Sequence, residues 1–261
     1  MLIHSRPIIT ILGGMGPMAG IELHKRIILN TPAKQDQDHV NIHHISFPSA
    51  IHDRTEYLKS HVNPHVNPHV NSDVNPGLQA GELFKSIIPD NKDKYIVGVP
   101  CNTFHSPIIF NLFKDIVTAE RSNIEIVNMV ESTVKYIQDK KYKNVGLLST
   151  AGTRKTRVYQ NLIQERGMHT TMVAENQQME VDDIIYNDEY GIKSLSYATN
   201  NVTNKTKGII DDLINEGANS IILGCTELPI AVTDKYHNNV EMINPVDILA
   251  REMLKKYKTL Y

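Results

Sequence analysis

The feature that most constrains this chain is a repeat inside it. The segment 9–17, ITILGGMGP, is matched at 145–153 by VGLLSTAGT, and the segment 95–103, YIVGVPCNT, is matched at 220–228 by SIILGCTEL. Cys101 lies 87 residues beyond Gly14 and Cys225 lies 75 residues beyond Thr150, so the two copies are spaced alike. Each segment is a short apolar run that stops at small or polar residues, the pattern of a buried strand followed by a loop. A duplicated strand–loop pair requires two similar halves in tandem, each carrying one cysteine just past a strand.

The rest of the chain fills out those halves. Apolar runs predict strands at 8–12, 42–47, 95–99, 125–129, 145–148 and 220–223. Amphipathic stretches predict helices at 18–29, 76–87, 106–117, 130–139, 157–166, 206–216 and 245–256. Pro245 suits the first turn of the last helix, where its missing N–H costs nothing. Alternation of strand and helix predicts an α/β fold of two pseudo-symmetric domains, each a mostly parallel sheet flanked by helices. The first domain covers 1–130 and is joined by the C-terminal helix 245–261; the second covers 131–244. Ligands in open α/β sheets bind beyond the carboxyl ends of strands. Two such halves facing each other would bring both cysteines to one interdomain cleft.

Composition narrows the function classes. The 261 residues are 41 % apolar and 21 % charged, ordinary for a globular protein with an ample core. A net charge of −2 gives no reason to expect nucleic acid or an anionic membrane as partner. The apolar runs fall short of the ~20 residues that span a bilayer. The amino end lacks a signal-peptide cleavage pattern, so a cytoplasmic protein is expected. Two cysteines form no disulfide framework, and a reducing compartment keeps both as thiols.

Cysteines among apolar neighbours are commonly small core residues. Two at equivalent strand ends, each followed by hydrogen-bonding residues (Asn102-Thr103 and Thr226-Glu227), point to chemistry instead. A helix starting after each strand would lower the thiol pKa. A redox pair is conceivable, but such pairs sit as Cys-x-x-Cys. A Cys–His nucleophile could use His105 beside Cys101, which leaves Cys225 unexplained. Two-base proton transfer accounts for both: one thiolate removes an α-proton from one face while the other thiol protonates the opposite face. The Gly14-x-Gly16-x-x-Ala19 subset of the first turn also fits a dinucleotide fingerprint, yet no acid closes the second strand and the first acid beyond it is Asp53. A turn whose bare backbone approaches a small anion is the better reading, with Met15 in the substrate-binding set. Arg54, in Asp53-Arg54-Thr55 after the second strand, suits a bidentate clamp on a carboxylate.

Together these residues resemble the aspartate/glutamate racemase family, most closely its aspartate racemase branch. The likeness runs nearly end to end: Gly-Gly-Met-Gly-Pro at 13–17, Asp-Arg-Thr at 53–55, Asn-Pro at 75–76, Pro-Cys-Asn-Thr at 100–103, Gly-Cys-Thr-Glu at 224–227 and Asn-Pro-Val-Asp at 244–247. The resemblance implies a racemase without pyridoxal phosphate or metal, with Cys101 and Cys225 catalytic. It implies that Asn102, Thr103 and Thr226 bind the α-carboxylate and amino group, and that Arg54 reads the side-chain carboxylate. The implied partner is a small acidic amino acid, aspartate before glutamate, and a homodimer is compatible with it. Members of the family place a substrate-binding lysine just before a glycine in the second domain. Here Tyr190 precedes Gly191, and Lys193 is the nearest lysine for that role. Other cofactor-free enzymes of the superfamily (hydantoin racemase, maleate isomerase, decarboxylase) and a non-catalytic amino-acid-binding protein are the alternatives.

One segment stands apart. His61-Val62-Asn63-Pro64 repeats as His65-Val66-Asn67-Pro68 and decays through His69-Val70-Asn71. Histidines four apart would line one helix face, but Pro64 and Pro68 forbid that helix. The repeat is expected to be an expanded surface loop without chemistry.

Overall fold

The computed structural model describes residues 6–62, 75–119 and 121–260. Most of the histidine repeat, from residue 63 onward, lies outside the described residues. In chain order the elements are β1 Ile8–Leu12, α1 Pro17–Leu29, β2 Asn41–Ile45, α2 Arg54–Val62, α3 Pro76–Ile87, β3 Tyr95–Gly98, α4 Pro107–Thr118 and β4 Ile124–Val127. They continue with α5 Met129–Asp139, β5 Asn144–Ser149, α6 Ala151–Thr156, α7 Val158–Glu165, β6 His169–Met172, α8 Glu175–Tyr186, α9 Ile192–Leu195 and α10 Asn200–Asn215. The last are β7 Ser220–Gly224, α11 Leu228–Ala231, β8 Tyr236–His237, β9 Val240–Ile243 and α12 Pro245–Leu260. The chain divides into two compact units, one of residues 1–129 with 246–261, the other of residues 130–245. No helix among the described residues is long and apolar enough to cross a membrane.

The first unit holds a four-stranded parallel sheet in the order β2-β1-β3-β4. Both faces are covered, as an all-parallel sheet requires. Side chains alternate across a strand, and the two faces separate accordingly. Leu12, Tyr95 and Val97 pack with Phe84 of α3 and Phe113 of α4. Ile9, Ile11 and Ile96 pack on the other face with Leu23 and Ile27 of α1 and with Leu249 and Met253 of α12. The C-terminal helix is therefore part of the first core. Gly98 is the point of closest approach, since a Cβ there would lie 2.4 Å from the Met253 sulfur.

The second unit repeats the plan in the order β6-β5-β7-β9-β8, parallel except for the short β8–β9 pair. Strands β5, β6, β7 and β9 take the places of β1, β2, β3 and β4. On one face Leu148, Ile221 and Leu223 meet Val181 and Ile185 of α8 and Val202 and Ile209 of α10. Glu241 of β9 is buried, and its carboxylate accepts from the hydroxyls of Tyr136 and Tyr142 at 2.8 Å each. That pairing offsets the cost of burying the charge.

Several boundaries differ from the sequence reading, each for a local reason. The second strand stops at Ile45, because Pro48 opens a 3₁₀ turn over Pro48–Ala50. Arg54 begins α2 rather than lying in a loop. Asp53 precedes it as a cap, its Oδ1 accepting from the Thr55 and Glu56 amides at 2.8 and 2.9 Å. Helix α7 starts at Val158 because Arg157 is left-handed, with φ 54°. Helix α10 starts at Asn200, six residues before the expected position 206, where the Thr199 hydroxyl accepts from the Val202 amide at 3.2 Å. Strand β6, HTTM, carries little apolar signal and escapes the pattern, as do β9 and helices α6, α8 and α9.

Helices α3 and α4 pack with almost no space between them. Asn75 caps α3 by accepting from the Gly77 amide at 2.7 Å, while its Nδ2 donates to the Ile108 carbonyl at 2.9 Å. A Cβ on Gly77 would lie 2.1 Å from the Ile109 carbonyl oxygen, a backbone atom. Gly77→Ala should therefore destabilise the protein by about 1–3 kcal/mol through overpacking. Helix propensity alone would favour alanine by about 1 kcal/mol. A urea titration distinguishes the two: a lowered midpoint is expected, and an unchanged or raised one contradicts the packing argument.

Candidate active site

Every parallel strand of a sheet releases its chain at the same rim. In the first unit β1 pairs with β2 on one side and with β3 on the other. The chain leaves β1 outward to β2 and later returns across it to β3, so β1 and β3 flank a topological switch point. Gly13–Met15 leave one side of that point and Cys101 leaves the other. In the second unit β5 stands between β6 and β7 in the same way. Thr150 and Cys225 then flank its switch point. Cys101 and Cys225 thus follow topologically equivalent strands, each at the carboxyl rim of its own sheet.

In the first unit the turn after β1 is held by the Gly13 amide donating to the Ile45 carbonyl at 2.8 Å, and Gly14 takes φ 87°. Glycine tolerates that angle at no steric cost. Met15 is buried, and its carbonyl accepts from Arg54 Nη2 at 3.2 Å. Arg54 Nη1 donates to the His52 carbonyl at 3.3 Å. Met15 and Arg54, 39 residues apart in sequence, are therefore joined at one rim. Cys101, Asn102 and Thr103 are all buried there, and the chain curls after them into a 3₁₀ turn over Thr103–His105.

His105 is not placed to serve as a base for Cys101. Its Nδ1 donates to the Cys101 carbonyl at 2.8 Å, and its Nε2 accepts from the Met129 amide at 3.2 Å. That pair of bonds assigns the neutral Nδ1–H tautomer. Burial pushes His105 down to about 4, with the bond to the Cys101 carbonyl pulling the other way. The ring also stacks on Phe110 with 4.7 Å between centroids. It is a buried strut that fixes the backbone of Cys101, and the Cys–His reading loses its base. Asp53 likewise serves the cap of α2, which removes the acid a dinucleotide reading would need.

In the second unit the Cys225 thiol donates to Glu227 Oε2 at 2.9 Å, and the Thr226 hydroxyl donates to the same oxygen at 3.0 Å. Burial pushes the Cys225 thiol well above its ordinary range, the Glu227 carboxylate adds to that, and Lys193 opposes it. The expectation that a helix start would lower this thiol fails here, because α11 spans only Leu228–Ala231 and a carboxylate lies closer. Lys193 is in electrostatic reach of Cys225 and sits 4.5 Å above the Tyr186 ring. Gly191, at the start of α9, packs closely on the chain before it: a Cβ there would lie 2.4 Å from the Asn187 carbonyl oxygen. Tyr190, which precedes Gly191, donates to Asp183. Sequence reasoning named Glu227 among the hydrogen-bonding residues after Cys225 but gave it no role of its own. Its signal was a buried-strand cysteine followed two residues later by an acid.

No group of three or more His, Cys, Asp or Glu able to hold a metal is found among the described residues. Residues 12–253 match the Asp/Glu/Hydantoin racemase family. Among solved structures, the aspartate racemase of Picrophilus torridus superposes with a TM-score of 0.68 at 23 % identity, covering 97 % of this chain and 94 % of that one. An aspartate racemase homologue from Pyrococcus horikoshii OT3 gives 0.64 at 20 % identity, covering 97 % and 100 %. The glutamate racemase of Francisella tularensis subsp. tularensis SCHU S4, in complex with D-glutamate, gives 0.61 at 15 % identity, covering 98 % and 82 %. These likenesses establish a shared two-domain α/β fold. With the match across nearly its whole length, the chain belongs to the Asp/Glu/Hydantoin racemase family, and so to the racemases among the isomerases.

Proposed function

We propose that this protein interconverts the L and D forms of an acidic amino acid, aspartate before glutamate, by two-base proton transfer between Cys101 and Cys225 without pyridoxal phosphate. The observation that carries the reading is the equivalence of the two cysteines, each beside the switch point of its own sheet. The mechanism requires the two thiols to meet opposite faces of one α-carbon. One enters as thiolate and takes the α-proton; the other enters as thiol and delivers a proton to the opposite face. The centre inverts, and the thiolate and thiol exchange places.

The raised Cys225 rests as the thiol and begins as the acid. In the reverse direction Cys225 is the base, and the Glu227 carboxylate at 2.9 Å is the nearest acceptor for the proton it must first lose. Asn102, Thr103 and Thr226 supply polar groups to the substrate α-carboxylate and ammonium. Lys193 adds a positive charge that favours an anionic substrate and the Cys225 thiolate. Arg54 reads the distal carboxylate.

Polarimetry with L-aspartate, L-glutamate and L-alanine tests the activity and the role of Arg54 together. Aspartate should racemise best in the unaltered protein. Arg54→Ala should lower kcat/KM for aspartate by about 2–5 kcal/mol, the cost of breaking a desolvated charge pair, with alanine little affected. Equal damage to both would mean that Arg54 acts only through the Met15 carbonyl. No turnover of any acidic amino acid would overturn the proposal.

The pairing of Cys225 with Glu227 has its own test. A neighbouring carboxylate opposes formation of the thiolate, so removing its charge lowers the thiol pKa. In a Cys101→Ser background, Glu227→Gln should move the pH midpoint of Cys225 alkylation by iodoacetamide downward. An unmoved or higher midpoint contradicts the assigned interaction.

A further inference from the structure

A groove of about 400 Å³ in the second unit is lined by Arg157, Gln160, Gln164, Met168, Thr170 and Met172 among others. It lies between α7 and β6. Strand β6 is an edge, paired only with β5. The His169 amide donates to the Lys143 carbonyl at 2.8 Å, so His169 and, two residues on, Thr171 turn their backbone groups toward β5. Thr170 and Met172 therefore direct their N–H and C=O groups outward, and both line the groove. Helix α7 supplies the opposite wall. Gln160 is 7 % exposed, its Nε2 is fixed on the Arg154 carbonyl at 2.9 Å, and its Oε1 is buried without a donor among the described residues. No acidic side chain lines the groove, while the exposed Arg157 guanidinium stands at the start of α7, alongside the carboxyl end of the antiparallel-running β6.

We propose that this groove binds a short extended peptide ending in a free carboxylate, running parallel to β6 with that carboxylate at Arg157. Outward amides of Thr170 and Met172 pair with the peptide backbone, as an added strand does. The methionines take apolar side chains, and Arg157 supplies the charge-assisted pair. The four residues of β6 rise about 13 Å at ~3.3 Å each, room for roughly three ligand residues. The site is independent of Cys225, which lies beyond another strand of the same sheet.

The test titrates the full chain with Ala-Ala-Ala carrying a fluorescein on its N-terminal nitrogen, as free acid and as C-terminal amide. One saturable site is expected, with the amide about tenfold weaker for want of the charged contact. Arg157→Gly keeps the left-handed backbone and should weaken the acid about tenfold while leaving the amide unchanged. Thr170→Pro removes an outward N–H without touching the β5 ladder and should weaken both peptides, with unchanged circular dichroism as the control for folding. Equal affinity for acid and amide, insensitivity to Arg157→Gly, or no saturable binding would each overturn the proposal. So would a dimer, seen by sedimentation, that Thr170→Pro dissolves while neither peptide binds, since a second copy would then be the occupant.

Discussion

In a parallel ladder every strand points its carboxyl end the same way, and the chain must cross the sheet between neighbours. Here β1 and β3 are paired from Ile8↔Tyr95 to Ile11↔Gly98, and β5 and β7 from Val145↔Ser220 to Ser149↔Gly224. These two pairings decide which loops can become a site. The glycine turn and Cys101 emerge side by side because β1 and β3 are hydrogen-bonded neighbours. Thr150 and Cys225 emerge together for the same reason. The helices serve this arrangement by covering both faces. The close fit of Met253 against Gly98 fixes α12 beneath the strand that carries Cys101.

The two cysteines share a place but not an environment. His105 holds the Cys101 backbone through both ring nitrogens, a neutral strut in an apolar setting. Cys225 instead donates to a carboxylate and feels a lysine from α9. Two-base catalysis needs one thiol protonated and one not at the start of each turnover. The Glu227 carboxylate breaks the pseudo-symmetry of the fold at Cys225, and under the proposed mechanism it would bias which thiol starts protonated. The positive charge of Lys193 limits that bias.

Much of the fold was legible because buried parallel strands announce themselves. IITIL, YIVG and SIILG are apolar throughout, and the repeat between the halves links them in order. The edge strand HTTM carries no such signal, since one side of an edge meets solvent and polar threonines suffice. The start of α10 was hidden because the segment 200–205, NNVTNK, holds a single apolar residue, whereas the Thr199 cap and the buried Val202 make it helical. The candidate site followed the same rule. Cys101, Cys225 and Arg54 stood out by their place beyond strands, and each now lies at its sheet's rim or opens the helix beside it. The bond from Cys225 to Glu227 and the true work of His105 were not legible, because both depend on which way a side chain turns after the strand ends.

The central claim is that two thiols act on one carbon from opposite faces, and single serine variants test it most directly. Each variant keeps one thiol, and a hydroxyl is too weak an acid to replace the other near neutral pH. In deuterated water, Cys101→Ser and Cys225→Ser should both lose racemisation of aspartate while exchanging the α-proton slowly, each on the opposite enantiomer, as followed by proton NMR. Full racemisation with either cysteine replaced would contradict the account.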